Sequence, residues 1–156
     1  MVTDGQRSST SGTWANGAMS LVESKTTVAR GRRVLLIDDD RWVRALFSDI
    51  LTAMGFEVEA AASGEEGLAL FGRGGHHLVI TDLEMGGVSG LEVAAAVRQR
   101  AASVPVIVIS GSAHRLGELS QTPRGFPVLT KPVRVSDFEA AVLRALGAPD
   151  RDPTGG

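Results

Sequence analysis

The sequence predicts an α/β fold, a five-stranded parallel sheet with helices on both faces, and three observations predict it. Short apolar runs alternate with stretches of helical spacing five times between residues 32 and 147. The run VIVI (106–109) is apolar and β-branched at every position, as a strand covered on both faces must be. Polar residues stand where four of the runs end, and that is where an open parallel sheet keeps its ligand crevice.

The elements follow in order. RRVLLI (32–37) is a first strand that ends in Asp38, Asp39 and Asp40. Residues 41–54 place Val43, Leu46, Phe47, Ile50 and Met54 on one helical face, with Asp40 as N-cap and Gly55 as the stop. Phe56 to Ala61 alternate as a second strand, and residues 63–71 form a short helix with Ser63 as its cap. His77 to Thr81 make the third strand, which ends at Asp82. The glycine-rich GGVSG then turns the chain into an alanine-rich helix over 90–101. After the fourth strand, which follows Pro105, the segment SAHRLGELSQTPRG carries Gly117, Pro123 and Gly125, so its helix is expected to be short or irregular. Phe126 to Thr130 form the fifth strand. Residues 136–146 close the domain as a capped amphipathic helix with Phe138, Val142 and Leu146 on one side. Right-handed crossovers between such units give the flavodoxin-like doubly wound order 2-1-3-4-5.

Residues 1–30, rich in Ser, Thr and Gly, are expected to be a flexible tail, with Trp14 its one large apolar group and read as solvated. Residues 31–147 form the domain, and residues 148–156 a second flexible tail. With 156 residues and 43% hydrophobic content the chain suits one core of ordinary size. A net charge of −2 without a dense Lys/Arg block argues against nucleic acid or an anionic membrane as partner. The absence of cysteine excludes disulfides, thiolate metal sites and a cysteine nucleophile. No apolar run is long enough to span a bilayer and no secretion signal opens the chain, so the protein is read as cytoplasmic.

Under the doubly wound order, the first, third, fourth and fifth strands meet at one crevice. They deliver Asp38 and Asp39, then Asp82, then Ser110, then Lys131. Carboxylates held together repel strongly unless a cation shares the site. An all-oxygen donor set without His or Cys selects a hard cation, Mg²⁺ or Mn²⁺. His76, His77 and His114 are too scattered to add a metal site.

The set IDDD (37–40), TDLEMGGVSG (81–90), ISGS (109–112) and TKP (130–132), in this order and spacing, resembles the receiver domain of two-component response regulators, single-domain type, over residues 32–147. The resemblance implies that Asp82 is the nucleophile, taking a phosphoryl group from a phosphohistidine on a histidine kinase or histidine phosphotransfer protein. It implies Mg²⁺ held by Asp39, Asp82 and the backbone carbonyl of Glu84, with Asp38 acting mostly through a metal-bound water. Lys131 would pair with a phosphoryl oxygen. Ser110 would turn its hydroxyl toward the phosphoryl group, and Gly111 would leave room for it. Lys131-Pro132 is a candidate cis bond. Such a protein is no enzyme toward other substrates; it catalyses only its own phosphorylation and dephosphorylation.

Two positions depart from the family pattern. Gly86 stands where proline is usual, which leaves the acceptor loop less rigid. Val128 stands where an aromatic residue is usual three positions before the lysine, so a ring-flip readout is not expected. The switch is instead expected in an ordering of residues 111–125. With no effector domain expected after residue 147, output would pass through a downstream protein partner or onward phosphotransfer. The competing reading is a receiver-like binding module that works without phosphorylation. A metal-dependent phosphotransferase acting on small molecules would need a cap insertion that the sequence lacks.

Overall fold

The computed structural model describes residues 27–111 and 126–147; expectations for Trp14, for most of the first tail, for all of the second and for residues 112–125 lie outside the described residues. Five parallel strands, β1 (Arg33–Ile37), β2 (Glu57–Ala61), β3 (Leu78–Asp82), β4 (Val106–Ser110) and β5 (Val128–Thr130), form one sheet in the order β2-β1-β3-β4-β5. The described helices between and after them are α1 (Arg41–Met54), α2 (Gly64–Phe71), α3 (Gly90–Arg100) and α4 (Val135–Ala145). The sheet order is the one that the alternation of strands and helices predicts.

Period-two alternation sorts the apolar side chains onto two faces. Val34, Leu36, Leu78, Ile80, Ile107 and Ile109 build one core with Phe47 and Leu51 of α1 and Phe138 and Val142 of α4. Leu35, Ile37, Val79, Val106 and Val108 build the other with Phe71 of α2 and Val93 and Val97 of α3. The chain leaves β1 toward β2 on one face and returns to β3 over the other. The strand order therefore reverses between β1 and β3, and the crevice opens at their carboxyl ends.

Local signals set most boundaries. Asp40 caps α1, accepting from the N–H groups of Trp42 at 2.9 Å and Val43 at 3.1 Å. Gly55 ends it in the left-handed region at φ 106°, where a side chain would be strained. Ser63 caps α2 through Glu66 N–H at 3.0 Å. At α3, Ser89 accepts from Glu92 N–H at 3.2 Å while the Glu92 carboxylate accepts from Ser89 N–H at 2.8 Å, a reciprocal capping box. Ser89→Ala removes one half of it and is expected to lower unfolding stability by about 1 kcal/mol, read from a urea melt.

Four expectations are corrected. Ala29, assigned to the tail, is fully buried in the first core at the end of a helical turn over residues 27–29. Leu46 is 54% exposed, and Leu51 takes its place against the sheet, because the face centred on Phe47 and Met54 sweeps past 51 rather than 46. β5 begins at Val128: Pro127 has no N–H to donate, although its carbonyl accepts from Val108 N–H at 2.9 Å. Helix α4 starts at Val135 behind Arg134 with no side-chain cap, since Ser136 falls inside the first turn rather than before it.

Candidate functional site

Each candidate residue stands at the carboxyl end of a strand, and the sheet order turns four distant segments into neighbours. Asp38 follows β1 and is 1% exposed; Asp82 is the last residue of β3, paired in register with Ile109 of β4, and is 3% exposed. Asp39, between Asp38 and the α1 cap, is exposed. One carboxylate oxygen from each of Asp38, Asp39 and Asp82 lies within 4.8 Å of the others. Lys131 follows β5, and its N–H donates to Ser110 O at 2.8 Å, which ties the two strand ends together. Its ammonium reaches back to Asp82, with Nζ 3.0 Å from Oδ1. The Lys131-Pro132 peptide is cis.

Three acids share this space with one ammonium. Burial pushes the Asp82 carboxyl up to about 6, with the Asp38 and Glu84 charges adding to it and Lys131 opposing. Asp38 is raised for the same first reason, against the pull of the Asp40 N–H, which it accepts at 2.8 Å, and of Lys131. Burial alone would lower Lys131, but the contact with Asp82 and the charges of Asp82, Asp38 and Glu84 outweigh it and raise the ammonium above its ordinary value. Asp82 Oδ1 is within ion-pair range of Lys131 yet accepts no well-aligned hydrogen bond, and it is buried. A buried carboxylate oxygen that accepts no well-aligned hydrogen bond, inside an all-oxygen cluster, suits a hard dication, so Mg²⁺ or Mn²⁺ fits the residues present.

The fourth strand end carries an arrangement that the sequence reading missed. The Glu84 side chain accepts the Ser110 hydroxyl at Oε2, 3.0 Å, and Gly111 N–H at Oε1, 3.1 Å. Ser110 itself is fully buried. The sequence reading gave Glu84 a backbone carbonyl role and placed its side chain at the general acid/base position only under the phosphotransferase reading; the one available signal for the contact was an acid two residues beyond another acid. Arg44, on the first turn of α1, was also missed. It donates to the Asp38 carbonyl at 2.6 Å and so steadies the loop that presents Asp38 and Asp39. Among the described residues, a Cβ added at Gly111 would come to 3.7 Å from Lys131 Cδ and 3.9 Å from Glu84 Oε1, so this glycine borders the site.

Comparison with known proteins bears on this arrangement. A family model described as response regulator receiver domain matches residues 34–143. A chemotaxis protein of Rhizobium etli, CheY, is 31% identical over 127 residues, covering 78% of this chain and 98% of that protein. The sensor histidine kinase AtsR of Burkholderia thailandensis is 37% identical over 75 residues, 48% of this chain and 12% of that protein. Among solved structures, the response regulator TrrA of Thermotoga maritima, in complex with Mg²⁺ and BeF, matches with a TM-score of 0.68 at 32% identity, covering 73% of this chain and 98% of that one.

Proposed function

Because the chain belongs to the response regulator receiver domain family, we propose that it accepts a phosphoryl group on Asp82 from a phosphohistidine of a histidine kinase or histidine phosphotransfer protein, in a Mg²⁺-dependent reaction. The observation that carries this reading is the convergence of three carboxylates within 4.8 Å, with Lys131 Nζ 3.0 Å from Asp82 Oδ1. The transfer is a displacement. An Asp82 carboxylate oxygen bonds to phosphorus as the P–N bond to imidazole breaks; the imidazole keeps the electron pair and takes up a proton. The product is an acyl phosphate on Asp82.

Each neighbour has a role in this reading. Asp39 and Asp82, with the Glu84 carbonyl, would hold the dication, and Asp38, whose carboxylate lies in the same cluster, would support it. When present, Mg²⁺ supplies neutralisation of the charge on the phosphoryl group during transfer. Lys131 pairs with a phosphoryl oxygen once that group is on Asp82. Ser110 donates its hydroxyl to the same group, which draws the β4 end inward as the switch.

Residues 31–147, together with the turn at 27–29 that buries Ala29, act as the receiver unit and work as a stand-alone cytoplasmic module, a reading supported by a relative whose length the match spans almost completely. The signal leaves through contact with a downstream protein or by onward phosphotransfer; nucleic acid and membrane are not partners. Among the described residues no helix is long and apolar enough to cross a membrane. Catalysis is confined to the protein's own phosphorylation and dephosphorylation.

Incubation with acetyl phosphate followed by intact mass tests the proposal. With Mg²⁺ the protein is expected to gain one phosphoryl group, and with excess chelator the gain is expected to disappear. No gain in Mg²⁺ would leave the receiver-like binding module as the better reading; gain unaffected by chelation would remove the metal from the proposal.

A further inference from the structure

The Glu84 carboxylate uses both oxygens on the β4 end, one for the Ser110 hydroxyl and one for the Gly111 N–H. These two donors leave the strand beside the one that ends in Asp82, and Lys131, bonded through its own N–H to Ser110 O, completes the wall. Glu84 lies close enough to Asp82 and Lys131 for its charge to raise the proton affinity of both. An anionic side chain thus holds donors of the kind that a phosphoryl group on Asp82 would require.

We infer that Glu84 is a positioning residue, an internal stand-in for the phosphoryl group that holds Ser110 and Gly111 in the resting state and must be displaced when Asp82 is phosphorylated. The inference rests on the phosphoacceptor reading above and names the group that opposes the switch. Occupancy is exclusive by chemistry. A hydroxyl has one proton to donate and a backbone amide has one, so neither serves Glu84 and a phosphoryl oxygen fully at once. Bonds to an ionised acceptor are also the stronger kind. The added phosphoryl charge repels the carboxylate in turn, so arrival of one anion drives out the other.

Two variants test this. Glu84→Gln keeps size and shape but replaces one acceptor with a donor, so it can no longer accept both protons; Glu84→Ala removes the contact. With acetyl phosphate and Mg²⁺, Glu84→Gln is expected to be phosphorylated about tenfold faster than wild type. In a Ser110→Ala background the same substitution is expected to change the rate less than about threefold. A general charge effect would act equally in both backgrounds and fade at high salt, and that result would overturn the inference. Hydrogen exchange supplies a readout without phosphorylation: the Gly111 amide is expected to lose protection in Glu84→Ala while the core strands keep theirs, and unchanged Gly111 exchange would overturn it. Equal uptake by wild type and Glu84→Gln ends the latch alone. No uptake by either ends the acceptor reading and, with nothing left to gate, the latch with it.

Discussion

Asp82→Asn is expected to take up no phosphoryl group under conditions in which the wild type gains one, and at the same time to be the more stable protein without metal. The first half follows from chemistry, because the amide has no anionic oxygen to attack phosphorus. The second follows from burial. Asp82 titrates near 3.8 in an unfolded chain and at about 6 in the fold. Between those values the folded state holds a proton that the unfolded state has released, so stability falls as pH rises from about 4 to about 6 and stays lower above. The interval corresponds to a destabilisation on the order of 2–3 kcal/mol at pH 8. Asparagine never ionises, so urea melts in chelator should show the variant more stable at pH 8 and the two proteins converging toward pH 4. Glu59 has the opposite sign and cannot imitate this. Its bond to His76 Nε2 at 2.7 Å holds it below its ordinary value, so its contribution is lost only as pH falls below the usual carboxylate range. Added Mg²⁺ should stabilise the wild type much more than the variant. Equal stability of both at pH 8 would mean that the crevice is wetter than its burial indicates.

Gly90→Ala is expected to cost about 3 kcal/mol or more and to lower the rate of phosphorylation at least tenfold. A Cβ at that position would overlap the Asp82 carbonyl and come to 2.7 Å from Leu83 Cα and 2.9 Å from the Asp82 carbonyl carbon, all of them backbone atoms that no rotamer change can move aside. The close approach is fixed further by the Gly90 N–H, which donates to Leu83 O at 3.1 Å. The first turn of α3 therefore presses directly on the Asp82 peptide, and forcing them apart moves the Asp82 carboxylate relative to Asp38, Asp39 and Lys131. Gly86→Ala is the control. Among the described residues a Cβ there meets nothing within 4 Å, and its cost should stay within about 0.5 kcal/mol. Chemical denaturation and the acetyl phosphate reaction read both effects, and a Gly90 variant as stable as the Gly86 one would contradict the packing described.

Much of this was legible in the chain. The strands announce themselves by β-branched runs, and the helices by spacing and caps at Asp40 and Ser63. The caps were readable because a side chain that satisfies an N–H two or three residues away is a local matter. The ends of β5 and α4 were displaced by local chemistry in a tertiary setting: Pro127 cannot extend a ladder, and Ser136 caps nothing once the helix begins at Val135. Leu46 and Leu51 exchanged places because a helix chooses between two adjacent apolar stripes only when the sheet beneath it is present.

By itself the sequence determined the fold class, the sheet order and the identity of the acids, hydroxyl and ammonium at the strand ends, since hydrophobic period, crossover handedness and residue chemistry are properties of short segments. Only the tertiary structure decided how these groups address one another: Lys131 on Asp82, Arg44 on the Asp38 carbonyl, Glu84 on Ser110 and Gly111, and Gly90 against the Asp82 peptide. The physical reason is range. Electrostatic and steric contacts act over a few ångströms across segments far apart in the chain, and no local pattern records which of several nearby donors a carboxylate will take.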